Sequence, residues 1–294
     1  MMLPWGVFLT VFFTFGSYFF ADHPNPELEF IFQNKHWTVS LAEFGFDGID
    51  PTTLNRKQFF HWVHDQLERE INRPPRSAYF KKNGQVVPHQ RGRTVDRKKI
   101  DDGLDLIHVY MQKPIQVPVI YQEPKMKTAQ VKRLKAKRLA SYTTRFNPRN
   151  YNRSHNIYLS ARAIDHYILF PGEIFSFNRV VGKRTVQRGY KPAPVIVKGE
   201  YSEGVGGGIC QTSSTLFNSV DFAGLEIVER VSHSKRVTYV PKKRDATVSW
   251  YGPDFRFKNQ LNEPIVIVAN VWNGSITVSI YGPKTILHRP RSVR

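Results

Sequence analysis

The sequence contains very little cysteine: Cys210 is the only one in 294 residues. An internal disulfide is therefore excluded. In an exported protein, an unpaired cysteine suggests either a bridge to another molecule or a functional thiol. Motifs for metal or nucleotide cofactors are also missing. His61 and His64 lie three residues apart, but no third ligand stands at a supporting spacing, so we expect no metal and no cofactor.

Acidic residues are scarce as well. The chain has 24 of them against 43 lysines and arginines, which gives a formal net charge of +19 and a pI near 10.0. Such a surface concentrates anionic partners. Between residues 123 and 149 the basic residues cluster, with only Tyr142 and Phe146 as aromatics. A nucleic-acid module would interleave more aromatics. We therefore expect anionic wall polymers or lipid headgroups as partners, and no nucleic acid.

The first long apolar run extends from Leu3 to Phe20 and carries no charge. Its length is close to the minimum that spans a bilayer as a helix. Two interpretations are open. Residues 1–21 are a signal peptide cleaved after Ala21, or an uncleaved anchor, which bulky Phe19 near the cleavage point favours. Both predict export, with the protein membrane-anchored through residues 3–20 or secreted.

The length of the chain predicts two domains after this segment. Residues 29–122 alternate strand-like and helical patterns, with a hairpin signal at Asn83-Gly84, and indicate an α+β domain. Residues 123–138 are predicted to be a basic linker, residues 139–284 a second domain, and residues 285–294 a basic tail. The second domain is predicted to be α+β too. Its sheet is expected to be mixed or antiparallel, and a loop over residues 199–208 is expected to lead into a helix that starts at Cys210.

This glycine-rich stretch carries the strongest chemical signal, because Gly204 to Asn218 reads GVGGGICQTSSTLFN. The unpaired N–H groups of a helix's first turn favour a thiolate over a thiol. His233 is the leading candidate for the base and Asp245 for the group that orients it. A cysteine peptidase of the papain or NlpC type has the same order of elements, which is a likeness of arrangement only.

Other groups near the motif are candidates for oxyanion or substrate binding: Gly207, Gly208, Gln211 and Ser213, with the N–H of Cys210. Two alternatives stay open from the residues alone. Cys210 is a small buried hydrophobe in one of them. In the other, His155 or His166 takes the place of His233 as the base.

Several separated motifs between residues 139 and 284 resemble the VanW domain family. They are NRSHNIYLSA (152–161), PGEIFSFN (171–178), GGGICQTSSTLFN (206–218), ERVSHS (229–234) and YVPKKRDATV (239–248). Residues 30–122 resemble the peptidoglycan-binding domain that accompanies VanW domains. Where the family often has a glycine before its Arg-Asp pair, this chain has Lys242-Lys243.

The resemblance implies a bacterial cell-envelope protein that acts on peptidoglycan stem peptides. VanW domains are associated with glycopeptide-resistance clusters, and members have been connected with L,D-transpeptidase chemistry through the motif cysteine. Cys210, His233 and Asp245 match the motif residues. The resemblance therefore implies a cysteine-dependent L,D-transpeptidase or carboxypeptidase. The alternative is a non-catalytic peptidoglycan-binding or scaffolding protein in resistance or wall assembly.

Overall fold

The computed structural model of the chain describes residues 26–197 and 200–291. The apolar segment predicted to contact the membrane, residues 3–20, lies outside this range. No helix among the described residues combines the length and the apolar character that a membrane crossing requires.

Short strands and helices alternate along the described chain. The strands are β1 (Glu27–Phe32), β2 (Lys35–Ser40), β3 (Tyr79–Phe80), β4 (Val86–Val87), β5 (Gly92–Val95), β6 (Ile115–Gln116), β7 (Val119–Gln122), β8 (Lys137–Arg145), β9 (Tyr167–Leu169), β10 (Ile174–Ser176), β11 (Pro192–Val197), β12 (Glu200–Val205), β13 (Glu226–Glu229), β14 (Arg256–Lys258), β15 (Ile265–Trp272) and β16 (Ser275–Gly282). The helices are α1 (Arg56–Trp62), α2 (Arg69–Ile71), α3 (Arg97–Leu104), α4 (Ile107–Tyr110), α5 (Thr128–Arg133), α6 (Tyr151–Ile164), α7 (Phe177–Val181) and α8 (Ile209–Phe222).

The described chain divides into two compact units, of which the first comprises residues 26–73 and 93–121. In this unit β1 pairs antiparallel with β2 and parallel with β6. A π-helical segment, Val63–Glu68, joins α1 to α2. Phe59 of α1 and Leu67 of the π-helical segment are fully buried. Nearby, Glu68 accepts two hydrogen bonds from the Arg97 guanidinium, at 2.5 and 2.8 Å.

The second unit comprises residues 74–92 and the chain from residue 122 onward. Its main sheet is antiparallel, with the strand order β8-β16-β15-β9. Helix α8 packs against β8 and β16, while α6 packs against β15 and against α8. Apolar side chains of these elements form one buried core, including Ile157, Leu216, Val220, Ile276 and Val278.

Besides the antiparallel β3-β4 hairpin, the described part of the unit has two smaller sheets. In the first, β14 pairs with β10 and with β13. In the second, β11 and β12 form an antiparallel hairpin. The sequence predicted a loop over residues 199–208. The structure instead places strand β12 in its first part because residues 200–205 pair with β11, and only residues 206–208 remain as the turn into α8.

The α+β prediction is confirmed. Residues 74–92, predicted in the first domain, lie in the second unit. Residues 123–138, predicted as a linker, contain α5 and the start of β8, because Val131 and Leu134 are buried with Met126 and Val266. In the predicted tail, Ile286 is buried, and residue 291 is the last that the structure describes.

Asn156 joins α6 to the glycine turn that precedes α8. Its side chain is fully buried, and its Nδ2 donates to the carbonyls of Lys191 (2.8 Å) and Gly207 (3.0 Å). Its Oδ1 accepts from the N–H of Lys191 at 2.9 Å. One amide thus ties three backbone groups of the turn region to the helix.

We predict that Asn156→Ala lowers the free energy of unfolding by about 1–3 kcal/mol, since it strands buried backbone groups without partners. Urea denaturation measures this change. Asn152→Ala is the matched control, because exposed Asn152 makes one bond, to the carbonyl of Pro192. Equal stability losses in the two variants would contradict the prediction.

Candidate active site

Glycines deliver Cys210 to the first turn of α8 because no other residue fits the turn. Gly208, directly before the helix, has φ +106°. A Cβ on Gly207 would lie 2.5 Å from the carbonyl oxygen of Ala193 and 2.6 Å from that of Pro194. Backbone would have to move to admit a side chain there. The turn therefore packs directly on β11, and Cys210 follows as the second residue of α8.

His233 and Asp245 meet beside Cys210. An isolated bridge between Val231 and Thr247 holds the two chain segments together. Asp245 Oδ2 accepts from His233 Nδ1 at 2.6 Å and from the His233 backbone N–H, also at 2.6 Å. Both side chains are buried. The imidazole in turn hydrogen-bonds to the Cys210 side chain. The structure thus brings together all three residues predicted as catalytic.

The electrostatics of this trio favour a charged pair. Burial by itself raises the pKa of the Cys210 thiol, but the hydrogen bond and charge of His233 outweigh burial and hold the pKa below its ordinary value. Burial lowers the pKa of His233, whereas Cys210 and Asp245 raise it, with a net upward shift. Burial raises the pKa of Asp245, and the bonds from His233 more than offset it. All three shifts favour the charged forms, a thiolate beside an imidazolium with an ionised Asp245.

Polar side chains of α8 hold the strand-like segment that carries Asp245. Ser214 Oγ accepts from the N–H of Ala246 at 2.9 Å. Asn218 Nδ2 donates to the carbonyl of Arg244 at 2.8 Å. The residues on both sides of Asp245 are therefore bonded to the helix that carries Cys210. Within the fully buried TSST run, Ser213 also donates to the carbonyl of Ala246 at 2.5 Å, whereas Thr212 and Thr215 bond to Ser160 and Thr144.

Gln211 and Ser213, predicted to bind the oxyanion or substrate, are committed to structural bonds. The Gln211 amide donates to Thr144 Oγ1 (2.9 Å) and to the carbonyl of Arg145 (3.0 Å), and its oxygen accepts from Arg153 Nη2 at 2.7 Å. Ser213 Oγ donates to the carbonyls of Cys210 and Ala246. Gly207 and Gly208 do line the cavity in front of Cys210.

That cavity measures about 900 Å³, which suits a peptide-sized ligand. Four permanent cations line it: Arg145, Arg153, Lys183 and Arg184. None of the described residues that line the cavity is an aspartate or a glutamate. Sequence reasoning missed the arginines. Arg153 was visible within the NRSH motif and Arg184 between two glycines, but neither pattern indicates that α6 and the segment after α7 converge on Cys210.

Tyr239 is a further cavity residue that the sequence did not single out. Burial raises the pKa of its phenol, and so does the neighbouring charge of Cys210. It is therefore a neutral hydroxyl. Thr247 also faces the sulfur, with its Oγ1 3.8 Å from Cys210 Sγ, and the carbonyl of Val248 lies 3.6 Å from the same atom.

The competing histidines are engaged elsewhere. His155 Nε2 bonds to the carbonyl of Gly189, and His166 Nδ1 bonds to Asp165. His61 bonds to the carbonyl of Lys57 within its own helix. Over residues 26–197 and 200–291, no group of three or more His, Cys, Asp or Glu side chains could hold a metal ion.

Known proteins are similar to this chain over the region that contains the site. Over 230 residues the chain is 49% identical to the uncharacterized protein YoaR of Bacillus subtilis (strain 168), covering 78% of this chain and 76% of YoaR. The family model described as VanW like protein matches residues 152–281. The chain belongs to the VanW family. The VanW match contains the whole trio and both buried arginines of the cavity.

A more distant relative is the vancomycin B-type resistance protein VanW of Enterococcus faecalis (strain ATCC 700802 / V583). It is 31% identical over 113 residues, which cover 37% of this chain and 41% of that VanW protein. No solved structure matches this VanW-family chain.

We predict that the rate of Cys210 alkylation by iodoacetamide rises with a midpoint well below pH 8.5, the ordinary region for a free cysteine. In His233→Ala the midpoint should move above the ordinary value, because burial remains while the opposing imidazolium is lost. The measurement is the alkylation rate across a pH series by mass spectrometry. His155→Ala is the control and should keep the wild-type midpoint. A His233→Ala midpoint at or below wild type would exclude the thiolate-imidazolium pair.

Proposed function

We propose that this protein is a cysteine acyltransferase of the cell envelope that acts on peptidoglycan stem peptides as an L,D-transpeptidase, or as a carboxypeptidase when water is the acceptor. The observation that carries the proposal is the Cys210–His233–Asp245 arrangement at a cavity large enough for a peptide. The name of the Enterococcus relative, a vancomycin resistance protein, supports the choice of the cell wall as the place of action.

In the first step the Cys210 thiolate attacks the carbonyl carbon between the third and fourth residues of a stem peptide. A C–S bond forms and the carbonyl π electrons move to oxygen. Collapse of this intermediate breaks the C–N bond, and the His233 imidazolium gives its proton to the departing amine. The products are a thioester on Cys210 and a free terminal D-amino acid. Asp245 keeps the imidazole oriented throughout.

In the second step an amine from a neighbouring stem attacks the thioester. Neutral His233 takes a proton from the attacking nitrogen, a new C–N bond forms, and the C–S bond breaks to restore the thiolate and the imidazolium. Water in place of the amine leaves a shortened stem with a free carboxylate.

The oxyanion requires donors that are already in position. We assign this role to the backbone N–H of Cys210, which lies in the first turn of α8, where N–H groups lack partners within the helix. The helix dipole adds partial positive charge at the same point. The side chain of Gln211 supports the site indirectly, since it holds Arg153 beside the cavity.

The net charge of +19 supports retention on anionic wall polymers or lipid headgroups. The same charge also favours the second candidate, a non-catalytic protein that binds or organises peptidoglycan. The two candidates differ in what Cys210 does. Binding to sacculi that is insensitive to Cys210→Ala, without any change in muropeptides, would favour the second.

We predict that the purified protein trims or cross-links stem tetrapeptides in isolated muropeptides, and that Cys210→Ala abolishes both products. His233→Ala should reduce the rate by about 10²–10⁴-fold, the usual contribution of a positioned acid and base. Mass spectrometry of the digest detects loss of the terminal residue and the mass of the thioester adduct. His155→Ala should retain full activity. An unchanged muropeptide profile after incubation with the wild-type protein would contradict the enzymatic proposal.

A further inference from the structure

Arg184 places an unpaired cation at the cavity. Both terminal nitrogens of its guanidinium are buried, and neither finds a hydrogen-bond partner among the described residues. Its side chain is held in place by apolar contacts. A Cβ on Gly206 would lie 3.0 Å from Arg184 Cβ, and the Phe177 ring lies 5.8 Å from the guanidinium carbon. The glycine turn therefore packs on the stem of this arginine, and Arg184 is one of the residues that line the cavity.

The carboxylate of Asp254 acts on Arg184 electrostatically, but its hydrogen bonds go to other groups. Asp254 accepts hydrogen bonds from Ser176 Oγ at 2.5 Å and from the N–H of Asn178 at 2.8 Å. Burial lowers the pKa of Arg184, which is the response of a guanidinium that has lost water without gaining a fixed counter-ion.

Arg153 repeats the pattern with one difference. It also lines the cavity, and burial lowers the pKa of its guanidinium. Its Nη2, however, is fixed by Gln211 Oε1 at 2.7 Å. A Cβ on Gly208 would lie 2.9 Å from Arg153 Cγ, so the glycine turn contacts both arginines. The charges of both arginines act on Cys210.

An uncompensated guanidinium in a buried position destabilises a fold. Arginine has five N–H donors in a planar fork that matches a carboxylate in two parallel bonds. A cavity wall with four cations and, among its described residues, no acid accommodates an anionic group. A ligand with an anionic group, such as a carboxylate, would supply the missing counter-ion.

We propose that Arg184 binds a carboxylate of the acyl donor, with Arg153 as a second cation nearby, and so selects peptides that carry a free carboxylate close to the scissile carbonyl. This inference rests on the proposed function for the identity of the peptide. The carboxylate has two possible sources in a stem tetrapeptide. One is the terminal carboxylate of the departing residue, and the other is a free carboxylate on an earlier residue.

The first test needs no substrate. Iodoacetate carries a carboxylate and iodoacetamide carries an amide, and both alkylate the Cys210 thiolate. Because the thiolate fraction affects both rates equally, their ratio reports attraction of the carboxylate alone. Arg184→Gln should lower the iodoacetate-to-iodoacetamide ratio by about tenfold, as expected for loss of a focused local charge. Arg162→Gln removes an exposed arginine of α6 and should leave the ratio unchanged.

The second test measures binding to Cys210→Ala protein by calorimetry, so that no turnover occurs. The probe is a synthetic stem tetrapeptide with meso-diaminopimelate at the third position. Adding Arg184→Gln should weaken its binding by about 10–100-fold, the effect of losing charge-assisted hydrogen bonds. Arg184→Lys should recover only part of the loss. If Arg184 binds the C-terminal carboxylate, amidation of that carboxylate should weaken binding as much as Arg184→Gln does. If Arg184 binds a carboxylate on an earlier residue, amidation of that earlier carboxylate should have this effect instead.

A stability measurement separates ligand binding from a structural role. Arg184→Met keeps the apolar stem against Phe177 and removes the unpaired charge. It should raise Tm, by about 2–4 °C. A structural arginine would lower Tm on removal.

The outcomes distinguish the two proposals. Equal tetrapeptide binding by the Arg184→Gln and Arg162→Gln variants in the Cys210→Ala background, or an unchanged alkylation ratio, would overturn the role of Arg184 and leave the peptidoglycan proposal intact. No tetrapeptide binding by any variant, together with a lowered alkylation ratio, would support the carboxylate site and reject the stem peptide as its ligand.

Discussion

The attachment of residues 244–246 to α8 is the constraint on which the site depends. A helix of fourteen residues lies almost wholly buried, and its hydroxyl and amide side chains bond to neighbouring backbone. The segment so fixed carries Asp245, which orients His233 through two bonds to one oxygen. Cys210 lies at the start of the same helix, and His233 is connected to the helix through Asp245 and its neighbours. Disturbing α8 would therefore displace all three together.

The glycine turn has a second consequence, because it is packed from three directions. Gly207 contacts the backbone of β11, Gly206 contacts Arg184, and Gly208 contacts Arg153. The absence of side chains lets two arginines approach the thiolate from separate parts of the chain. Close packing of this kind transmits small changes in volume, as cores in general do. The glycines thus shape the charge of the cavity as well as the position of Cys210.

Neighbouring charges decide which form of the half-buried Cys210 thiol is favoured. Burial alone would keep the Cys210 thiol protonated, and the imidazolium of His233 reverses that preference. Asp245 in turn keeps His233 charged. The charged form of each group thus favours the charged form of its neighbour. The low local dielectric that penalises an isolated charge strengthens this chain of pairs.

The sequence alone determined the local features. Glycines before a lone cysteine predicted the turn and the helix start, the Asn83-Gly84 pair predicted a hairpin, and separated motifs indicated the VanW family. Strand β12 and helix α5 were missed, since their pairing and burial depend on distant partners. The tertiary structure decided which hydrogen bonds Gln211 and Ser213 make, and that the terminal nitrogens of Arg184 are buried without a hydrogen-bond partner among the described residues. The physical reason is that the hydrogen-bond partners of a side chain and its burial depend on residues far apart in the chain. Hydrophobic periodicity and motif spacing describe only residues that are close in sequence.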